Sequence, residues 1–171
     1  MQYKILSLIA AVALVSACET APSGGASAGG VGDAKPIESY TTPLGGGVMA
    51  GSQEDLVVNV GDRVFFDFDK YNLDSEDRTT LDKQAAWLKA NPSVSITIEG
   101  HCDERGTREY NLALGERRAN SVMDYLLSLG VNGARMKVIS YGKERPVAVG
   151  STNAAWAQNR RGVTKVNAAG S

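Results

Sequence analysis

The chain is short of the residues that staple, ligate and span. It holds two cysteines, Cys18 and Cys102, too few for the multi-bridge framework of a small disulfide scaffold. Its one histidine, His101, leaves no set of imidazoles for a zinc centre, so metal-assisted hydrolysis is not expected and neither is any cofactor. Neither sign of charge dominates: 18 basic and 19 acidic residues are spread along the chain, giving a formal net charge of −1. No nucleic-acid partner is expected from that balance, and no polybasic membrane segment. The longest apolar run, Ile5 to Val15, falls short of the roughly 20 residues that cross a bilayer.

That run has another use. Lys4 precedes it, and Ser16 and Ala17 follow it before Cys18, which is the layout of an export signal. Val15-Ser16-Ala17-Cys18 resembles the cleavage site of bacterial lipoproteins. The resemblance implies removal of residues 1–17 and a lipid on the Cys18 sulfur; the competing reading is a plain signal with an incidental cysteine. Several acyl chains on one residue give stable anchoring where a single chain gives only marginal binding. Glu19, in place of the aspartate that often retains lipoproteins at the inner membrane, points to the outer membrane, with the protein facing the periplasm. With Cys18 lipidated, Cys102 has no partner for an internal disulfide.

Residues 18–53 read as a disordered tether, rich in Gly, Ser, Ala and Pro with Tyr40 as the single aromatic, and without the apolar surface that would offset ordering entropy. Its ~35 residues reach at most ~120 Å extended and average ~30–35 Å as a coil. Residues 54–167 form one domain by length and pattern, and residues 168–171 a short tail. Val64 to Phe68 reads as a strand; Asp74 to Asp77 caps a helix carrying Leu81, Ala85 and Leu88, which Asn91-Pro92 ends. Val94 to Glu99 alternates as a half-buried strand. Thr107 caps a long helix with the stripe Leu112, Gly115, Ala119, Val122, Leu126 and Leu129, stopped by Gly130. A strand over Lys137 to Tyr141, a short helix over Thr152 to Gln158 and a strand over Val163 to Val166 complete an α/β (α+β) pattern of helices packed on a sheet.

Between Gly100 and Gly106 lies Asp103, in a loop that opens a helix. A carboxylate near the positive end of a helix is stabilised by about 0.3–1 kcal/mol when exposed, so Asp103 is either a loop-ordering acid or a ligand for a cation. Asn111 and Arg118 are seven residues apart and share one helical face. Arg118 either pairs with a nearby acid such as Glu116 or Asp124, or grips a carboxylate with its planar fork. Arg117 faces elsewhere. Together Asp103 and Arg118 suit a small ligand carrying both an ammonium and a carboxylate.

The wording around these residues, Gly100-His101-Cys102-Asp103-Glu104-Arg105-Gly106-Thr107, then Asn111-Leu112 and Gly115 to Asn120, resembles the peptidoglycan-binding signature of OmpA-like domains. Phe65 to Tyr71, Ser140 to Pro146 and Asn159-Arg160-Arg161 extend the resemblance over nearly the whole domain in the same order. It implies a β-α-β-α-β fold with a mixed sheet, in a lipid-anchored wall-binding protein. It also implies that Asp103 and Arg118 hold the diaminopimelate of peptidoglycan stem peptides, with Asn111 and Asp69 lining the pocket. Phe66 and Phe68 are expected in the core. The partners it implies are peptidoglycan, the outer membrane through Cys18, and TolB with the other Tol proteins, in a system serving envelope integrity and division. Many relatives carry Thr at Cys102; on a strand that side chain points away from Asp103's face.

Two readings from other classes remain open. A cysteine hydrolase built on His101 and Cys102 is disfavoured because adjacent strand side chains diverge, which leaves His101 as a structural hydrogen-bonding residue. An OmpA-like wall-binding accessory of another envelope or secretion machine would share the site and differ in its partners.

Overall fold

A computed structural model describes residues 48–167. The export signal, Cys18, most of the tether and the tail lie outside the described residues. Ser52 caps α1 (Gln53–Asp55), which runs on as a π-helical turn over Leu56–Val60. Then come β1 (Arg63–Phe65), α2 (Ser75–Ala90), β2 (Ile96–His101), α3 (Arg108–Ser128), a 3-10 turn (Gly133–Arg135), β3 (Met136–Gly142), α4 (Asn153–Asn159) and β4 (Arg161–Val166). The strands form one mixed sheet in the order β1-β4-β2-β3, with β2 and β3 parallel and the other two pairs antiparallel. This is the mixed sheet with packed helices expected from the sequence.

Local chemistry places each element. Asp74 accepts from the backbone N–H of Glu76 and Asp77, and Asp77 returns a bond from the N–H of Asp74, a complete capping box. The other oxygen of Asp77 accepts from the N–H of Phe65, so the same cap ties α2 to β1. β1 is shorter than the expected run to Phe68. Phe66 leaves the ladder to pair with the carbonyl of Arg160, and Asp69 turns the chain with φ 60, a left-handed conformation uncommon for a residue with a side chain. No local pattern in the sequence marks α1. Its anchors are tertiary: Leu56 is fully buried, and Asp55 accepts a bond of 2.8 Å from the indole N–H of Trp87.

Alternation along the strands sends Val64, Ile96 and Ile98 to the core with Leu81, Leu88, Val122 and Leu126 of the helices. The buried side of α3 differs from the expected stripe in carrying Leu114, while Leu112 is only partly buried, and in holding two polar residues, Asn111 and Arg118. α3 crosses the sheet at a pair of glycines. A Cβ on Gly100 would lie 1.8 Å from the carbonyl oxygen of Gly115, and one on Gly115 would lie 2.3 Å from the Ser140 hydroxyl. That close approach seats the first half of α3 against the end of β2, where the candidate residues converge.

Gly100→Ala forces backbone apart at this crossing. The expected cost is about 3 kcal/mol, at the upper end for overpacking, read as a lower urea midpoint with an unchanged slope. An unchanged midpoint would show that α3 is not held by this approach.

Candidate functional site

Beyond the end of β2, the loop from Cys102 to Thr107 faces the turn from Asp67 to Tyr71 that follows β1, and α3 rises between them. They enclose a cavity of about 210 Å³. Asp69, Asp103, Asn111 and Arg118 all line it, so the structure brings the four sequence-predicted residues to one place. Phe68, Arg105, Tyr110 and Arg160 complete the polar and aromatic wall.

Asp103 is 4% exposed and already paired. Arg105 approaches it side-on, with Nη2 2.6 Å from Oδ2 and Nε 3.1 Å from Oδ1, while its backbone N–H also donates to Oδ1. Arg160 adds a longer contact of 3.3 Å. Burial pushes the Asp103 carboxyl up, but the bonds from Arg105 and Arg160 outweigh it and hold the group below the usual carboxylate range. The loop is ordered around this acid, and a cation arriving from solution meets a position that Arg105 occupies.

Arg118 is fully buried and pairs with neither Glu116 nor Asp124. Its Nε donates to the carbonyl of Lys70, Nη1 to the carbonyl of His101 and to the Cys102 sulfur, and Nη2 to the carbonyl of Asp67. Burial disfavours its charge, and the carbonyl dipoles replace the lost water. A guanidinium has five N–H groups, so one on Nη2 is without a partner among the described residues. Asn111 spends both amide protons on the carbonyls of Arg105 and Thr107, at 2.7 and 3.0 Å, and offers the cavity no further donor. Asp69, held exposed by its left-handed backbone, accepts from the Tyr110 hydroxyl.

Sequence reasoning missed the groups that make the wall a charged cradle. The Arg105 guanidinium is sandwiched between the rings of Phe68 and Trp156, 4.0 and 4.1 Å from their centroids. Phe68 is therefore not a core residue; it is 59% exposed, while Phe66 is buried as expected. Lys143 pins the Asp103 loop by donating to the carbonyls of Glu104 and Gly106. No periodicity marks Arg105, Trp156, Arg160 or Lys143; their partners are up to 94 residues away in sequence.

Two further expectations change. Cys102 does not point away from the site: the strand ends at His101, and the thiol lines the same cavity, donating to the carbonyl of Asn111. Burial pushes that thiol up, away from the reactive thiolate. His101, expected to be a hydrogen-bonding residue, is 2% exposed, and neither ring nitrogen has a partner among the described residues. Glu99 lies 3.5 Å from Nε2 without hydrogen-bond geometry. Burial, followed by the charges of Arg161, Arg145 and Lys165, lowers the imidazole to about 3, so at neutral pH this is not an ion pair.

A family model described as the OmpA family matches residues 65–160. The peptidoglycan-associated lipoprotein of Rhizobium meliloti is 56% identical over 80% of this chain and 78% of its own. That of Brucella melitensis is 58% identical over 73% of this chain and 74% of its own. The crystal structure of the peptidoglycan-associated lipoprotein from Burkholderia pseudomallei is 47% identical, with a TM-score of 0.61, and covers 62% of this chain and 90% of that one.

Removing the Arg118 side chain strips partners from three main-chain carbonyls. Arg118→Met is expected to lower unfolding stability by about 3 kcal/mol, measured by urea denaturation; a neutral effect would refute the carbonyl net. His101 is the chain's one imidazole, and its folded pKa lies below the unfolded 6.5. Its contribution is complete above pH 6.5 and is lost as pH falls from 6.5 towards 3, because the unfolded chain takes up the proton first, at up to about 1.4 kcal/mol per pH unit. A single ring-proton NMR resonance that fails to titrate between pH 7 and 5 is the expected signature, whereas titration near 6.5 would contradict it.

Proposed function

The chain belongs to the OmpA family, among its peptidoglycan-associated lipoproteins, and from that premise we propose that the cavity is a non-covalent clamp for the diaminopimelate of peptidoglycan stem peptides. The protein is a binding lipoprotein of the cell envelope and not an enzyme. The observation that carries the finer reading is the meeting of Asp103 with the guanidinium groups of Arg105, Arg118 and Arg160 around one small cavity. The free end of diaminopimelate is an amino acid. Its ammonium takes the place of the Arg105 cation on Asp103, and its carboxylate is met by the remaining N–H of Arg118 and by the displaced Arg105. Asp69 and Tyr110 close the rim.

This exchange of one cation for another explains how a charged site can hold a ligand reversibly. Asp103 never stands unpaired, so neither the filled nor the empty state carries the penalty of an isolated buried charge. A ligand lacking the carboxylate displaces Arg105 but leaves the guanidinium groups unmatched, which selects against it.

We extend the proposal to the rest of the chain. Residues 1–17 are the export signal, Cys18 carries the lipid at the outer membrane, residues 18–53 tether, and residues 54–167 hold the wall from the periplasmic side. TolB and the other Tol proteins are the expected protein partners, competing for an overlapping surface within the Tol-Pal system, which supports envelope integrity and constriction at division. Support for this part is the family membership together with the layout from Lys4 to Glu19.

Co-sedimentation with two kinds of sacculi tests the clamp. Diaminopimelate-type and lysine-type walls differ at the side-chain end by one carboxylate. The wild-type chain is expected to pellet with the first and not the second. Asp103→Asn, checked by circular dichroism, should weaken binding by at least about tenfold through loss of a charge-assisted contact. Equal binding to both walls, or full binding by folded Asp103→Asn, would place the site elsewhere.

A further inference from the structure

The long helices α2 and α3 pack on one face of the sheet, and the other face is predominantly basic. Strand alternation sends Val64, Ile96, Ile98 and Ser140 inward and leaves Arg63, Arg161, Lys165, Glu99 and Lys137 on the opposite side. Arg145, in the loop after β3, joins them by stacking 3.7 Å over the ring of Tyr141. Five basic side chains thus stand on a face whose one strand-borne acid is Glu99, in a chain that carries 18 basic and 19 acidic residues overall. Asp62 pairs with Arg63, and Arg161 is 7% exposed with its N–H groups on carbonyls of Asn159 and Arg145. The accessible cations are Lys137, Lys165 and Arg145. The registers place Thr97 opposite both Lys137 and Lys165, so the two lysines flank one strand, about 10 Å apart. Phe65 and Ile139, 48% and 41% exposed, stand among them.

We propose that this basic face, through its exposed Lys137, Lys165 and Arg145, is an electrostatic docking surface for an anionic lipid leaflet, the one into which the Cys18 lipid inserts. The inference rests on the lipid-anchor reading above, and three features support it. The face is basic where the rest of the chain is not, which matches an anionic surface. Exposed Phe65 and Ile139 give it apolar side chains suited to the headgroup boundary. The tether of ~35 residues between Cys18 and the folded domain keeps it within about 120 Å of the leaflet even at full extension, so the face stays within reach of that surface. Burial, with the charges of Arg161, Arg145 and Lys165 adding to it, keeps His101 beneath the face neutral. Among the described residues the wall-binding cavity contains none of Arg63, Lys137, Arg145 or Lys165, so the two surfaces are separate.

The test uses the mature chain from residue 18 with Cys18→Ser, which takes no lipid, in flotation with vesicles. Vesicles of phosphatidylcholine alone are compared with vesicles containing one third phosphatidylglycerol. The expected result is flotation with the anionic vesicles alone, abolished by high salt and reduced at least about tenfold by Lys137→Glu with Lys165→Glu. The same double variant should pellet with diaminopimelate-type sacculi as the parent does. No preference for anionic vesicles, or undiminished flotation of the folded double variant, would overturn the proposal. Sacculus binding scored on the same samples shows whether the wall-binding reading stands or falls independently.

Discussion

A single buried guanidinium holds the site together. Arg118 reaches from α3 to the carbonyls of Asp67 and Lys70 after β1 and of His101 at the end of β2, and touches the Cys102 sulfur beside Asp103. These segments belong to different parts of the chain, and the ends of the cavity are fixed by their attachment to one side chain. A fully buried charge is costly unless its hydrogen bonds are met. Main-chain carbonyls meet them without bringing in a counter-charge, so the guanidinium keeps positive potential at the cavity floor. A carboxylate partner would have cancelled it.

The remaining charges are arranged around that floor. Asp103 is held by Arg105 and Arg160, Arg105 is parked between Phe68 and Trp156, and Trp156 donates in turn to Glu104. Asn111 and Lys143 secure the same loop through its carbonyls. The geometry around Asp103 is therefore set by these bonds, with Arg105 held by stacking on two rings and by one acid. Preorganisation of this kind lowers the ordering cost of binding.

The fold supplies this arrangement through two constraints. The glycine crossing at Gly100 and Gly115 lets α3 lie close enough to β2 for Arg118 to reach the carbonyl of His101. Among the described residues the long helices α2 and α3 pack on one side of the sheet, and the basic residues of β1, β3 and β4 gather on the other. Spread along the chain, these charges balance; folded, they segregate.

Much of this was legible beforehand. The capping signals at Asp74 and Thr107, the alternation from Val94 to Glu99 and the glycines flanking Asp103 act over a few residues, and short-range chemistry is what a sequence displays. The pocket residues Asp69, Asp103, Asn111 and Arg118 could be named because they sit in recognisable wording. What each does with its hydrogen bonds could not. Arg118 reads equally as a surface ion-pair partner, and Asn111 as a ligand donor, until the carbonyls of distant loops are seen to consume their N–H groups. Phe68 and Phe66 look alike in sequence, and one is exposed while the other is core. By itself the sequence determined the order of elements, the family and the identities of the charged residues, because patterning and capping are local. Only the tertiary structure decided which charge is paired, which is free and which face is basic, because electrostatic and hydrogen-bond partnership depends on distance in space.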